Sequence, residues 1–244
     1  MRVLIFSDVH ANITALDAVL EDADSVDQIW CLGDLVGYGP DPNECIQRVV
    51  SLPNFLCLLG NHDAAAIDQI DTNTFNNEAR RSILWTQDTL TSESTDYLSS
   101  LPPTLEVGDG QILLAHGSPR HPLWEYILNV QSATKNFKFF ESPYCFVGHS
   151  HLPAVYHLRD GRDDADLIVP DVDQTFNLSL RSIINPGSVG QPRDRNPDAS
   201  YLLLDLEDFS IEYRRCTYDI PAVQQRMKTA GLPKHHIDRL KNGW

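Results

Sequence analysis

Cysteine is scarce in this sequence and is not arranged as a metal or disulfide motif. The five cysteines are an odd number and include no C-x-x-C pair, which argues against a disulfide framework and against a thiolate metal site. Cys31, Cys57 and Cys145 lie inside short apolar runs, so we interpret them as small buried hydrophobic residues. A bound metal would therefore be held by nitrogen and oxygen ligands.

Long hydrophobic runs are also missing. No stretch is apolar over the length that crosses a bilayer. Residues 1–6 lead into Asp8 without the apolar core and cleavage site of a signal peptide. We therefore expect a cytoplasmic protein with no membrane partner. The chain has 244 residues, 42% of them hydrophobic and 22% charged, and no repeat or linker, so we expect a single domain over residues 1–244.

Positive charge is in short supply. The chain has 19 lysines and arginines against 34 acidic residues, a net charge of −15. Duplex nucleic acid is gripped by Lys and Arg that neutralise its phosphates, so long nucleic acid is a disfavoured partner. A small anionic substrate is still compatible with this charge, because bound divalent cations would invert the local field.

Polar residues at the ends of apolar runs are the most informative pattern in the sequence. Short apolar runs of this kind are typical of buried strands. Five of them stop at Asp, His or Asn, and these residues are Asp8 and His10, then Asp34, then Asn61, His62 and Asp63, then His116, then His149 and His151. Ligands collect at the carboxyl ends of strands in open α/β sheets. The pattern therefore predicts one site built from five strand ends.

The remaining periodicity predicts the layout around these strands. Residues 11–23 and 43–51 have helical spacing, and strand–helix alternation favours parallel strands with right-handed crossovers. Residues 104–115 read as a hairpin that delivers His116. After His151 the pattern changes to consecutive strands over residues 154–158, 167–169, 181–185, 201–206 and 211–216. We expect these to form a second, largely antiparallel sheet, followed by one or two helices.

The chemistry of the polar residues indicates metal binding. Imidazole, carboxylate and amide oxygen without thiolate suit Mn, Fe, Zn or Co in open coordination. The residues exceed what one tetrahedral metal needs, so two divalent metal ions sharing a bridging aspartate are the economical arrangement. Such pairs of metals are used for displacement at phosphorus.

As a set, these motifs resemble those of the calcineurin-like metallophosphoesterase superfamily. The motifs are Asp8-Val9-His10, Gly33-Asp34, Gly60-Asn61-His62-Asp63, His116-Gly117 and Gly148-His149-Ser150-His151. Asn12, Tyr38 and residues 185–188 are similar to its smaller bacterial and archaeal phosphodiesterase-like branch. The resemblance implies an α/β fold, a two-sheet sandwich of mixed β-sheets flanked by helices in four αββα layers.

The resemblance also implies a role for each residue of the set. Asp8, His10 and His151 are expected to bind one metal ion. Asn61, His116 and His149 are expected to bind the other, and Asp34 is expected to bridge both. His62 is similar to the family's histidine that binds no metal and faces the leaving group, and Asp63 to the carboxylate that orients it.

The implied function is a metal-dependent phosphohydrolase, acting on a phosphodiester or a nucleotide-type phosphoanhydride. A water or hydroxide held between the metals would attack phosphorus, and His62 would donate a proton to the leaving group while Asp63 fixes its tautomer. Two alternatives remain open. One is a phosphomonoesterase of the protein phosphatase kind, and the other is a non-catalytic metal-binding platform for partner proteins on the same fold. The complete set of motifs favours an enzyme over the platform.

Substrate contacts are predicted for Asn12, Tyr38 and Arg120. Arg193 could hold a second phosphate or simply be solvated on a loop. The expected partner is a small phosphorylated or nucleotide-type molecule.

Aromatic residues follow His116 in the sequence. Trp124 and Tyr126 could stack on a nucleobase, although core packing is the commoner role of such residues. The apolar content of residues 123–140 leaves room for a contact in a homo-oligomer.

Overall fold

A computed structural model describes all residues, 1–244, and its centre is formed by strands that follow the apolar runs of the sequence. The strands are β1 (Arg2–Phe6), β2 (Gln28–Cys31), β3 (Phe55–Cys57), β4 (Thr104–Val107), β5 (Ile112–Ala115), β6 (Tyr144–Val147), β7 (Ala154–His157), β8 (Asp166–Ile168), β9 (Thr175–Asn177), β10 (Ser182–Asn185), β11 (Ala199–Asp205) and β12 (Ser210–Cys216). The longest apolar runs become strands whose residues are buried on both faces, such as β6 and β11.

Helices connect these strands and end the chain. They are α1 (Ile13–Asp22), α2 (Pro42–Val50), α3 (Asn61–Ala66), α4 (Asn77–Thr89), α5 (Ser92–Ser99), α6 (Val130–Asn136), α7 (Ile220–Thr229) and α8 (Lys234–Asn242), with a 3₁₀ turn at Thr72–Thr74. Asp219 caps the N-terminus of α7, and the left-handed Gly243 follows the last residue of α8. None of the helices is both long enough and apolar enough to cross a bilayer.

The strands form two mixed sheets of six strands each. The first has the order β3-β2-β1-β11-β12-β9 and the second β4-β5-β6-β10-β7-β8. Strands β1, β2 and β3 are parallel, as are β5, β6 and β10. The remaining neighbours, including the central pair β1–β11, are antiparallel. The fold class expected from the motifs is therefore confirmed.

The expectation of a separate antiparallel sheet after His151 is wrong. Strand β11 pairs antiparallel with β1 in the first sheet, and β10 lies parallel to β6 in the second. The C-terminal strands thus complete both sheets. Strand β9, which is short and largely exposed, was not predicted because its sequence has no apolar run.

Apolar clusters on both faces of the sheets produce the four layers. One cluster, which includes Ile5, Trp30, Phe146 and Leu202, fills the space between the sheets. A second lies between the first sheet and helices α1 and α2, and a third between the second sheet and α6. All five cysteines are free and buried, which confirms the interpretation of Cys31, Cys57 and Cys145 as small core residues.

The packing between the sheets predicts a large cost for truncating Leu202. Its side chain is fully buried in that cluster, and Leu202→Ala is expected to lower the free energy of unfolding by about 2–5 kcal/mol. Leu180→Ala is the matched control, because Leu180 is 66% exposed, and it should change stability by less than about 0.5 kcal/mol. Urea unfolding of both variants measures the difference. Equal costs would contradict the placement of Leu202.

Candidate metal centre

Five strand ends carry the polar residues of the motifs to one edge of the sandwich. Asp8 follows β1, Asp34 follows β2, Asn61 begins α3 after β3, His116 follows β5, and His149 and His151 follow β6. Together with His10, these side chains are at most 2% exposed. The structure therefore brings together all seven residues for which the sequence predicts metal binding.

Asp8, His10 and His151 form the first group. Their candidate ligand atoms all lie within 4.8 Å of one another. His151 Nε2 is 3.3 Å from Asp8 Oδ1 and 3.1 Å from His10 Nε2. Three donor atoms that converge in this way can hold one cation.

Asp34, His116 and His149 form the second group, and their ligand atoms also lie within 4.8 Å of one another. Asn61 joins them, because its Oδ1 is 3.1 Å from His116 Nε2. Asp34 faces both groups: its Oδ2 is 3.7 Å from His10 Nε2 and 3.4 Å from His116 Nε2. The two groups are therefore adjacent, with the Asp34 carboxylate between them.

Backbone contacts fix the orientation of the ligands. The Nδ1 atoms of His10, His116 and His151 lie 3.2, 2.8 and 2.6 Å from the carbonyl oxygens of Val36, Leu32 and Gln191. A ring that donates from Nδ1 presents its Nε2 lone pair on the other side, which is the tautomer that binds a metal. In each histidine the Nε2 atom points into the centre.

Unsatisfied polar atoms show that the centre fits cations. Asp8 Oδ1, Asp34 Oδ2 and His149 Nε2 are buried and have no hydrogen-bond partner, although the other oxygens of Asp8 and Asp34 accept backbone N–H groups. Orphaned buried polar atoms are costly and rare in folded proteins. All of these atoms converge in the two groups, and divalent cations would satisfy them.

Electrostatics support the same conclusion. Burial lowers the pKa of His10, His149 and His151 well below the usual value, so these rings are neutral, as metal ligands must be. Burial opposes ionisation at Asp34 and His116, but their mutual attraction prevails, lowering the pKa of Asp34 and raising that of His116 to about 10. A bound cation can take the place of the His116 proton and supply the positive charge beside Asp34.

The backbone around the centre adopts unusual conformations. Asp8, His10, Asp34, His149 and His151 all have left-handed φ angles between 48° and 63°, a region that Asp and His enter more readily than most residues. Clusters of such residues are typical of functional sites. The absence of a side chain at Gly60 lets its backbone approach the Asp34 carboxylate, since a Cβ atom there would lie 2.0 Å from Asp34 Oδ1.

His62 lies at the rim of the centre, with its ring close to the first ligand group. Its ring is 5.0 Å from the ring of His10, and its Nδ1 has no hydrogen-bond partner. Both oxygens of Asp63 accept backbone N–H groups, from Val36 and Gly60, at 3.0 Å each. Asp63 thus caps the N-terminus of α3 and makes no hydrogen bond to the His62 ring, and a role in orienting His62 stays a prediction.

Packing orients His62 in the absence of that carboxylate. The rings of Tyr38 and Phe75 lie 4.3 and 5.1 Å from it. Gly37, with φ of +90°, leaves room for the ring, since a Cβ atom there would be 2.6 Å from His62 Nδ1.

Two of the three residues predicted to contact substrate, Asn12 and Arg120, form polar contacts within the protein. Asn12 Oδ1 caps α1 by accepting from Ala15 N, and its amide donates to the Gly190 carbonyl. Arg120 forms an ion pair with Glu125. Substrate contact by either residue stays a prediction, and it would have to compete with these partners within the protein.

Tyr38 is a packing residue beside the centre. The residue is 7% exposed, and its ring lies 4.6 Å from that of His10. It shapes the wall of the site next to the first ligand group.

Two aromatic residues for which the sequence left base stacking and core packing open, Trp124 and Tyr126, lie partly in solvent. Trp124 is 39% exposed and lies 4.9 Å from Phe75. Tyr126 is 43% exposed, and its ring stacks on that of His149 at 3.8 Å. Both therefore border the mouth of the metal centre.

Two residues near the centre, Gln191 and Arg239, carried no recognisable signal in the sequence. Gln191 supports His151 through its carbonyl, and its side-chain oxygen accepts from both Arg193 and Arg239. The motifs stop at His151, and Arg239 lies 48 positions beyond Gln191. No local pattern connects them.

Comparisons with known proteins agree with this geometry. The chain matches the family model described as the calcineurin-like phosphoesterase superfamily domain over residues 1–209. An uncharacterized protein of Methanocaldococcus jannaschii is 35% identical over 243 residues, 98% of this chain and 96% of that protein. The crystal structure of a metallophosphoesterase from Sphaerobacter thermophilus is similar, with a TM-score of 0.90 and 43% sequence identity over 100% of this chain and 99% of that one.

A shorter match concerns an enzyme of stated substrate. A symmetrical bis(5′-nucleosyl)-tetraphosphatase of Psychromonas ingrahamii is 43% identical over 67 residues, which are 26% of this chain and 24% of that enzyme.

The chain therefore belongs to the calcineurin-like phosphoesterase superfamily, as the motifs predicted. It is a metallophosphoesterase, an enzyme that hydrolyses phosphoric esters. The family uses divalent metals, and the two ligand groups of this chain suit them.

The approach of Gly60 to Asp34 leads to a prediction about metal binding. Gly60→Ala places a Cβ atom against Asp34 Oδ1 and should displace that carboxylate, so the purified variant should retain less than half the Mn²⁺ of the unaltered chain. Gly110→Ala is the control, since nothing lies within 4 Å of its Cβ position. Its left-handed φ makes alanine cost about 1–2 kcal/mol, but its metal content should be normal. Equal metal content in both variants would contradict the prediction.

Proposed function

We propose that the chain is a dinuclear metal-dependent phosphohydrolase acting on a phosphodiester or a nucleotide-type phosphoanhydride. In this proposal Asp8, His10 and His151 hold one divalent cation. Asn61, His116 and His149 hold the other, and Asp34 binds both. The observation that carries it is the position of Asp34 Oδ2, which lies 3.7 Å from His10 Nε2 and 3.4 Å from His116 Nε2 and has no hydrogen-bond partner.

Bound cations would supply a water whose pKa is lowered towards neutrality and would stabilise charge on the phosphoryl oxygens. The chain itself contributes a buried set of ligand side chains whose orientations are fixed by the surrounding backbone. Its ligand side chains are at most 2% exposed, and backbone carbonyls hold three of the histidine rings in place. Preorganised groups of this kind need no rearrangement during reaction.

His62 is the proposed proton donor to the leaving group. Burial lowers its pKa to about 4, so the ring is neutral at pH 7 until negative charge approaches it. A bound phosphoryl group would favour the imidazolium form. The partnerless Nδ1 and the packing of the ring against His10 are consistent with a group that acts on substrate.

The nucleotide part of the proposal has two supports. One is the short match to a bis(5′-nucleosyl)-tetraphosphatase. The other is the pair of partly exposed aromatic residues, Trp124 and Tyr126, that border the centre and offer stacking faces for bases.

Removal and return of metal tests the proposed class of reaction. Protein stripped of metal should be inactive, and reloading with Mn²⁺ should restore hydrolysis of bis(p-nitrophenyl) phosphate in preference to p-nitrophenyl phosphate. Preference for the monoester would instead indicate a phosphomonoesterase. Loss of turnover on both substrates with metal bound would indicate a binding platform.

The His62→Ala variant tests the proton donor. It should keep both metal ions, because its ring belongs to neither ligand group, and should lose about 10²–10⁴-fold in kcat. His235→Ala is the control, since His235 is exposed, and it should keep full activity. A His62→Ala protein that lost metal but retained turnover would reverse the assigned role.

A further inference from the structure

Two arginines beside the metal centre, Arg193 and Arg239, have no aspartate or glutamate partner, although Arg239 Nε donates to the backbone oxygen of Trp244 at 2.6 Å. Arg193 Nη2 and Arg239 Nη1 both donate to Gln191 Oε1, at 3.2 and 3.1 Å. Neither forms an ion pair with an aspartate or glutamate, whereas Arg215 and Arg226 each do. In a chain with a net charge of −15, an unneutralised pair of guanidinium groups is conspicuous.

Keeping these two charges together is unfavourable without an anion. Burial, and after it the charge of Arg193, lowers the pKa of Arg239 to about 10. Arg193 Nε is buried and has no hydrogen-bond partner. A shared amide oxygen positions the two groups but does not neutralise them. Both therefore retain the capacity to bind an anion.

The pair lies at the rim of the proposed active centre. The backbone N–H of Arg193 donates to the carbonyl of His151 at 3.4 Å, and its guanidinium lies 5.9 Å from the Tyr38 ring centroid. Tyr38 in turn packs against His10. His10 and His151 both belong to the first ligand group. The guanidinium charge of Arg193 therefore lies next to that group.

Space for a ligand opens next to the pair. A cavity of about 530 Å³ is lined by Arg193, Arg195, Asn242 and Trp244. The Trp244 side chain is 59% exposed and offers an apolar face of the kind on which bases stack. The cavity borders Arg193, the member of the pair whose backbone contacts His151 of the metal centre.

We propose that Arg193 and Arg239 bind a second phosphoryl group, so that the substrate is a phosphoanhydride of the nucleoside polyphosphate type. This inference rests on the proposed hydrolase function and selects the anhydride over the simple diester. Guanidinium groups bind phosphate through paired, charge-assisted hydrogen bonds. A substrate with a single phosphate would leave both arginines without an anionic partner.

The reaction follows directly from this placement. Water forms the new bond to the scissile phosphorus, and the bond from that phosphorus to the bridging oxygen breaks. The bridging oxygen keeps the electron pair, accepts the proton of the His62 imidazolium and departs on the phosphate held by the two arginines, while the proton released from water returns to the His62 ring through solvent. The arginines thereby stabilise the charge of the leaving group.

The test compares Arg193→Gln, Arg239→Gln and the double variant on two substrates in the Mn²⁺-loaded enzyme. For diadenosine tetraphosphate, the double variant should lose about 10- to 100-fold in kcat/KM, as expected for lost charge-assisted hydrogen bonds. KM should rise because a phosphate contact is lost, and kcat should fall because the leaving group is less stabilised. For bis(p-nitrophenyl) phosphate, which has one phosphate, kcat/KM should change by less than twofold. Arg239→Lys, which keeps the charge, should lie between Arg239→Gln and the unaltered enzyme.

A matched control and a binding measurement complete the design. Arg162→Gln removes the same charge from the exposed turn between β7 and β8 and should change neither substrate's kinetics. Calorimetric titration of the metal-free proteins with ADP should show at least tenfold weaker binding in the double variant. Because this measurement needs no turnover, it separates the arginine site from the hydrolase proposal.

Two results would overturn the inference. Equal losses on both substrates would mean that the arginines only support Gln191 and, through it, His151. Unchanged ADP binding and unchanged tetraphosphate kinetics would mean that no phosphate binds there. If the unaltered enzyme hydrolyses neither substrate with metal bound, the hydrolase proposal fails instead.

Discussion

The position of the Asp34 carboxylate is the constraint on which the site depends. One oxygen accepts the backbone N–H of His62, and the other faces both ligand groups. One side chain therefore sets the start of α3 and the spacing of the two groups. The left-handed backbone at Asp34 and the absence of a side chain at Gly60 both allow the Asp34 carboxylate to occupy this position.

Much of the fold could be predicted because its signals are local. A strand that ends in Asp or His is visible within a few residues, and the order of helices and strands then favours parallel pairing. The partition of later strands between the sheets could not be predicted. Strand β11 is buried on both faces, and this pattern identifies a central strand without identifying its neighbours. Its place beside β1 is decided by the packing of the whole sandwich.

The residues of the site also fall into those that local sequence predicts and those that it does not. Residues adjoining a strand end, such as Asp8 and His116, could be assigned to it because the chain itself carries them there. Asn12 and Asp63 lie equally near but cap helices, a competing use of short polar side chains that the sequence motif does not separate from ligand binding. Arg239 is the opposite case, since only the folded chain brings it to Gln191.

The ligands come from both sheets, and this has a consequence beyond catalysis. Asp8 follows a strand of the first sheet and His149 a strand of the second, and the His149 N–H donates to Asp8 Oδ2 across the junction at 3.0 Å. Cations that bind here clasp the two halves of the sandwich together. Metal that binds only the folded chain shifts the equilibrium between the folded and unfolded states towards the folded state. Scarcity of metal would therefore shorten the lifetime of the protein as well as remove its activity.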